Sequence, residues 1–505
     1  MNNLRNPSTL SIARELSILL ILLFSLCWAS QGLLADDASL QDATGKRYGD
    51  KPNILWLLAE DMSTDMSCYG TKGVQTPNLD KLASEGALFL NAFTTAPVCS
   101  PARTAMYYGV HQCTFGGHQH RSRTRAPEGV SPIPHILQDT GYFTGLIASK
   151  KTDSNITPND SRKLFQGGHR SERESGQPFY IQGTFMNTHR TWSGDPENRI
   201  DPRTVDVPPY YPDTPLVRAD IARGLEEIQV MDAQVGRILD ELEADGLADN
   251  TIVIFMGDNG RCQIRGKQFL YDGGVQVPLI IRWPDKIKPG TVIEDLTMHI
   301  DISAMLLNAA GVATPDYIQG RDPFDQALPK HECVYVQRDK MDNTHDAMRA
   351  VRTKDFKYIL NLMPERAYCQ YNGYKEAKYP LLAEMNVMHI QGELTPAQDR
   401  FMQPTKPEEE LYDLHNDPHE INNLADDPAY AEIKRDLSVM LEEQRRMVND
   451  PGVSEEFRTG GWPSTYPTRS LEQWQSIRDE WEIYLLEDGP HPNIGKRSGL
   501  GAEAE

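Results

Sequence analysis

Asn53-Ile54-Leu55-Trp56-Leu57-Leu58-Ala59 is an almost unbroken apolar run, and Glu60-Asp61 follow it at once. A strand covered on one face alternates apolar and polar residues. A run like this one reads as a strand buried on both faces, as parallel sheets demand. Residues 143–148, 179–185, 251–256 and 277–283 read the same way. Helical patterns lie between them. The clearest spans 218–245, with Ile221, Leu225, Ile228, Val235, Ile238 and Leu242 on one stripe and Gly246 as its stop. Strands alternating with helices predict an α/β fold with a large, mostly parallel central sheet flanked by helices. Beyond residue 330 the texture changes. Segments 334–336, 348–352, 356–360 and 411–414 read as short strands and 429–448 as a helix. They predict a smaller C-terminal α+β domain with an antiparallel sheet.

The chain has 505 residues, with 51 Lys+Arg against 72 Asp+Glu, a formal charge of −21. That balance argues against a general nucleic-acid binder, which needs a basic face. Hydrophobic residues at 39% and charged residues at 24% exclude a disordered chain and a polytopic membrane protein. Arg5 and Arg14 flank and precede an apolar run over 16–29, followed by small residues at Ala29, Ser30, Gly32 and Ala35. This predicts a signal peptide over residues 1–35, export to the periplasm or beyond, and no stable membrane insertion once the leader is cut. Residues 36–50 read as a linker, 51–330 as the principal domain, 331–487 as the C-terminal subdomain and 488–505 as a flexible tail. Seven cysteines are present and none forms a CxxC pair, so neither a zinc ribbon nor a dithiol redox motif is supported. Disulfides are open to an exported chain, but spacing does not assign them.

In open parallel sheets, ligands gather beyond the carboxyl ends of the strands. Glu60-Asp61 follow the first strand, and Gly257-Asp258-Asn259 follow the strand at 251–256. Two such pairs at equivalent strand ends can converge on one hard cation, Ca²⁺ or Mg²⁺. Either pair alone is also what a helix N-cap supplies. A third element is Val98-Cys99-Ser100-Pro101-Ala102-Arg103. Pro101 fits the first turn of a helix that Gly109 ends, which sets Cys99 at the N-terminus, where the dipole favours negative charge. The other reading of Cys99 is a buried structural thiol.

Cys99-x-Pro101-x-Arg103, with Gly109 downstream, resembles the signature of the type I, formylglycine-dependent sulfatases of the alkaline-phosphatase superfamily. The likeness extends over most of the chain. Pro52-Asn53-Ile54 leading into Glu60-Asp61 is similar to the family's opening strand and acidic pair. Thr76-Pro77-Asn78-Leu79-Asp80, Val277-Pro278-Leu279-Ile280 and Glu410-Leu411-Tyr412-Asp413-Leu414 are similar to later stretches. The resemblance implies that a separate maturation enzyme oxidises Cys99 to formylglycine before folding. A plain hydroxyl or thiol nucleophile would be trapped as a stable sulfo-ester, whereas a hydrated aldehyde has a second hydroxyl with which to expel sulfate. It further implies Ca²⁺ held by Glu60, Asp61, Asp258, Asn259 and modified Cys99, offsetting charge in the transition state. The family more often has Asp at the position of Glu60. By the same resemblance Arg103 stabilises the hydrate, Lys267 contacts sulfate and the leaving group, and His189 protonates the leaving atom. Many members carry Lys-Trp-His where this chain has Lys151-Thr152-Asp153. Lys151 takes the lysine's place, and Asp153 stands where a histidine is usual, which leaves two readings: His189 and Lys267 share proton delivery, or Asp153 reads a cationic or hydroxyl part of the substrate.

The stretch 111–125 is unusually basic for this chain. Within it Gly116-Gly117-His118-x-x-Arg121 resembles a stretch in a subset of bacterial sulfatases, which makes His118 and Arg121 candidate substrate-binding residues alongside Asp153. Val207 to Pro215, then Arg218-x-Asp220, is similar to the N-sulfoglucosamine sulfohydrolase branch, so the expected substrate is a sulfated sugar, as O- or N-sulfate. Two other readings stand beside this one. The first is a phosphomonoester or phosphonate hydrolase on the same scaffold. The second is an exported glycan-binding protein with Cys99 unmodified.

Overall fold

The computed structural model describes residues 51–461 and 469–494. The expected leader and linker lie outside them. Among the described residues no helix is long and apolar enough to cross a membrane.

Asn53–Ala59 is a strand with every residue buried. Its side chains divide by parity, as the pleat requires. Leu55, Leu57 and Ala59 pack with Leu79, Leu82, Leu225, Ile228 and Val235 on one face. Ile54, Trp56 and Leu58 pack with Met106, Ile302, Met305 and Leu306 on the other. Helices therefore cover both sides of the sheet: Pro77–Glu85 and Pro215–Ala244 on the first, Cys99–Tyr108 and His299–Ala309 on the second. This is the physical reason for the unbroken apolar run.

The central sheet has seven strands. In spatial order they are Thr291–Ile293, Ala87–Phe89, Leu279–Arg282, Thr251–Gly257, Asn53–Ala59, Phe179–Phe185 and Phe143–Ile147. All pairings are parallel except the two made by Leu279–Arg282, which runs antiparallel to both neighbours. The chain leaves Gly257, stays at the carboxyl edge through a loop with only the short helix Asp272–Val275, and turns straight back. Without a crossover the return strand must be antiparallel.

The helix expected over 218–245 runs Pro215–Ala244. Thr214 caps it by accepting from Val217 N at 3.4 Å, and Gly246 follows it at φ +68°, a conformation costly for any side chain with a Cβ. The C-terminal part holds a four-stranded antiparallel sheet, Val334–Met341, Thr344–Arg352, Phe356–Asn361 and Glu409–Asp413, covered by helix Ala431–Met447 through Leu437 and Leu441. Two helices escaped the sequence reading. Pro380–Gln391 and Leu471–Leu486 pack against the start of the long helix, burying Leu216, Ala219, Val387, Trp474 and Trp481. The first of them is apolar nearly all round, so it lacks the one-sided stripe that reveals a helix. Of the segment expected as a flexible tail, the described part begins with Asp488, which pairs with Arg223 at 3.0 Å, and ends with Ile494, buried beside Trp474 and Trp481. The six described cysteines form no disulfide with one another.

One buried ion pair ties the long helix to the carboxyl edge. Arg190 donates through both Nη atoms to Asp220, at 2.7 Å each, and through Nε to Cys262 O at 2.9 Å, while its guanidinium lies over Trp192. Asp220→Ala leaves that guanidinium buried and uncompensated. The expected loss is ~3–5 kcal/mol of unfolding free energy, read from urea denaturation; a midpoint like that of wild type would show that the pair is not a structural anchor.

Candidate active site

Ala59 registers with Phe185 on one side and Gly257 on the other, so three strands end side by side. Glu60 N donates to Phe185 O at 3.0 Å and Asp258 N to Ala59 O at 2.9 Å, which continues the ladder one residue past the strands. Glu60-Asp61, Asp258-Asn259 and the turn bearing His189 therefore emerge at one place. Asp61 N and Asn259 N both donate to Asp258 Oδ1, at 2.9 and 2.8 Å, and Asn259 Nδ2 donates to Asp61 Oδ1 at 2.9 Å. Both sequence pairs are parts of this cluster, and neither is a helix cap.

Three cations balance the carboxylates. Arg103 projects from the helix Cys99–Tyr108, which ends at Gly109 with φ +64°. Its Nη2 donates to Glu60 Oε2 at 2.7 Å and its Nε to Asp258 Oδ2 at 2.8 Å, with all three side chains fully buried. Lys267 Nζ donates to Asp61 Oδ2 at 2.8 Å. Lys151 Nζ donates to Glu60 Oε1 and lies 3.3 Å from Asp153 Oδ2. Burial pushes the Glu60 carboxyl up, but Arg103, then Lys151 and Lys267, outweigh it and hold the group well below the usual carboxylate range. Asp258 goes the other way: burial first, then the adjacent Glu60 charge, pushes it up. Lys267 is raised, because Asp61 outweighs the burial that would lower it.

Cys99 is the first residue of its helix and is buried. Its Sγ, a Glu60 oxygen and an Asp153 oxygen lie within 4.8 Å of one another. Burial pushes the thiol well up, with Lys267 and Lys151 countering only in part, so an unmodified Cys99 stays protonated and is no nucleophile. His189 Nε2 is 3.8 Å from Asp61 Oδ2, and its Nδ1 is 2.8 Å from Arg190 O. That carbonyl accepts from Nδ1–H and so leaves Nε2 as the atom facing the site. Burial lowers the imidazole, with Asp61 offsetting part of the effect.

The donor set fits a hard divalent cation. Asn259 Oδ1 is buried and accepts from no described residue, while the Nδ2 of the same amide holds Asp61 and the residue's backbone N–H holds Asp258. Burial, and then the neighbouring Glu60 charge, favours the neutral form of the Asp258 carboxyl, and a bound cation would oppose both effects. Oxygen ligands suit Ca²⁺ or Mg²⁺.

Residues 52–162 and 148–312 match the sulfatase family, and residues 260–395 match the C-terminal region of N-sulphoglucosamine sulphohydrolase. An ulvan-active sulfatase of Formosa agariphila is 31% identical over 460 residues, covering 79% of this chain and 76% of that protein. The chain belongs to the sulfatase family. Human N-sulphoglucosamine sulphohydrolase is 28% identical over 459 residues, covering 79% of this chain and 91% of that protein. In fold, the chain resembles a solved enzyme in complex with D-glucosamine-2-N,6-O-disulfate. The TM-score is 0.60 and the identity 20%, over 80% of this chain and 100% of that one.

This sulfatase brings ten of its sequence-predicted residues together: Glu60, Asp61, Cys99, Arg103, Lys151, Asp153, His189, Asp258, Asn259 and Lys267. His118 and Arg121 lie on the loop after the helix Cys99–Tyr108. Arg121 N donates to Ser100 Oγ at 3.2 Å, next to Cys99, and the His118 Nδ1 is buried without a partner. Three residues from the C-terminal part were missed. Tyr374 OH is 3.4 Å from His189 Nε2, Lys375 Nζ donates to Lys267 O at 3.2 Å, and Asp342 lies against His120 and Arg121. No local motif marks them; only tertiary packing carries them to the site.

Arg103 bridges two buried carboxylates through two nitrogens. Arg103→Ala should cost the metal-free protein ~3–5 kcal/mol by urea denaturation. Arg103→Lys should recover only part of it, since an ammonium cannot reproduce the fork. Full recovery by lysine would mean that charge alone, and not the bridge, matters.

Proposed function

We propose that the chain is a calcium-dependent, formylglycine sulfatase that removes sulfate from a sulfated carbohydrate, as an O-sulfate ester or an N-sulfate. The observation that carries this is the meeting of Cys99 with the buried carboxylates, Arg103, Lys151 and Lys267 at the ends of three strands. A plain thiol at that place is held protonated, so the position makes chemical sense as a modified residue. Sugar chemistry is supported by relatives named as an ulvan-active sulfatase, an N-sulphoglucosamine sulphohydrolase and an N-acetylglucosamine-6-O-sulfatase.

When formed, the formylglycine hydrate supplies an oxygen nucleophile and an exit by re-forming the carbonyl; calcium supplies a Lewis acid for the sulfate oxygens. The chain's own residues do the rest. Glu60, Asp61, Asp258 and Asn259 would hold the cation. Arg103 fixes Glu60 and Asp258 in place, so the ligand set is preorganised. Lys151 and Lys267 present ammonium groups to sulfate oxygens. His189, with Nδ1 held by the Arg190 carbonyl, presents Nε2 to the leaving atom. Its free imidazole is lowered by burial, and the arrival of an anionic sulfate favours the protonated form that a general acid needs. Asp153, beside Lys151 and Cys99, takes the place of a second histidine and faces the substrate's donor groups. Arg5, Arg14 and the apolar run over 16–29 support export, and a formylglycine-generating enzyme is the partner the chemistry requires.

Cys99→Ala should abolish turnover of aryl sulfates and sulfated sugars while leaving the thermal midpoint near wild type. Mass measurement of the peptide carrying residue 99, taken from the active protein, should find it lighter than its encoded sequence requires, because the thiol is lost to a lighter oxygen; ordinary thiol oxidation would add mass. An active enzyme in which that peptide has unaltered mass sinks the mechanism.

Calcium at about a hundredfold over its dissociation constant should stabilise the fold by about 2.7 kcal/mol. Asp258→Asn should blunt that thermal shift, and chelation should slow turnover. A midpoint indifferent to calcium in wild type would remove these residues as ligands.

A further inference from the structure

The C-terminal sheet reaches the active site through one turn. Val334–Met341 and Thr344–Arg352 are joined by Asp342 and Asn343 alone. Asp342 holds φ +50°, in the left-handed region that Asp enters more readily than most residues. Its N–H points at His120 Nδ1 at 3.1 Å, and its Oδ1 lies 3.2 Å from that same nitrogen. One ring nitrogen cannot accept from the first and donate to the second, so His120 satisfies one of them only. Arg121 Nη1 stands 4.0 Å from Oδ1, outside hydrogen-bond reach. The carboxylate is 28% exposed, so it retains free acceptor positions at the mouth of the site.

Two links tie this group to the loop that follows the Cys99 helix. His120 N donates to Lys340 O at 3.3 Å, which ties the loop to the strand before the turn. Arg121 N donates to Ser100 Oγ, one residue from Cys99. Burial pushes the Asp342 carboxyl up, but His120, Arg121 and Lys267 outweigh it and hold the group at about 2, a full anion under working conditions. An anion at the mouth of a sulfate pocket repels the ester it must admit. The arrangement makes sense where the substrate brings hydrogen-bond donors to that spot, because a charged acceptor rejects any analogue that lacks them.

We propose that Asp342 is a specificity-determining residue, which accepts hydrogen bonds from ring hydroxyls of the sugar that carries the sulfate. The proposal rests on the sulfatase reading above. It assigns to the C-terminal sheet the recognition of the sugar, while the carboxyl edge of the central sheet recognises sulfate.

The test compares matured wild type with Asp342→Asn and Asp342→Ala on two substrates. One is a sulfated glucosamine that wild type turns over, drawn from N-, 2-O- and 6-O-sulfated forms. The other is 4-nitrophenyl sulfate, which has no hydroxyl to offer. The ratio of kcat/KM on the sugar to kcat/KM on the aryl sulfate should fall about 10–100-fold in Asp342→Ala, mostly through KM. It should fall less in Asp342→Asn, whose amide oxygen keeps the shape and one acceptor. A ratio unchanged in both variants overturns the assignment, whether the two activities persist together or decline together. Wild type inert on every substrate would overturn the sulfatase reading itself, and this proposal with it.

Discussion

Three carboxylates buried at adjacent strand ends are tolerable only because three cations are buried with them. Removing a charge from water without a partner costs several kcal/mol, more than a marginally stable fold can absorb at several positions. Arg103 contacts Glu60 and Asp258, Lys267 contacts Asp61, and Lys151 contacts Glu60. This neutralisation dictates much of the surrounding structure. A helix must start beside the strand ends so that Arg103, one turn in, can reach both carboxylates. The loop after Gly257 must turn back at the same edge so that Lys267 can meet Asp61. A dry cluster of fixed charges of this kind is also the environment that stabilises developing charge in a transition state.

The central sheet was legible because both-face burial writes itself into sequence as unbroken apolar runs, and 53–59, 179–185 and 251–257 are such runs. The core of the site was legible for a related reason. Residues directly after such strands have few places to go, and Glu60-Asp61 and Asp258-Asn259 had to share an edge once their strands were neighbours. The antiparallel course of Leu279–Arg282 was not legible, because a short apolar run such as Leu279-Ile280-Ile281 carries no direction. Nor were Asp342, Tyr374 and Lys375. Their sequence neighbourhoods describe a turn and a short helix, and nothing local states that the turn meets His120 and Arg121 or that the helix folds over Lys267 and His189.

Six of the eleven described non-glycine residues with positive φ lie on the segments around the carboxylate cluster and the loop beside it. Asp61, Arg121, Asp153, Arg265, Gln268 and Asp342 all have positive φ without being glycine. Each sits on a segment that aims a side chain at, or frames, the mouth of the site. Such conformations persist only where surrounding contacts over-determine them, and here the ion pairs and the turn-to-loop hydrogen bonds provide that restraint. The same region thus holds cations at Lys151 and Lys267 and carboxylates at Asp153 and Asp342.

The spatial order of the strands also sets a clock. The first strand is flanked on one side by Phe179–Phe185 and on the other by Thr251–Gly257, so the edge that encloses Cys99 cannot close until residue 257 has been made. At the ordinary pace of synthesis, the stretch between residues 99 and 257 takes on the order of ten to thirty seconds to emerge. Throughout that interval the thiol rides on an open, unfinished chain. Sheet topology therefore leaves that side chain open through synthesis, before the finished fold buries it.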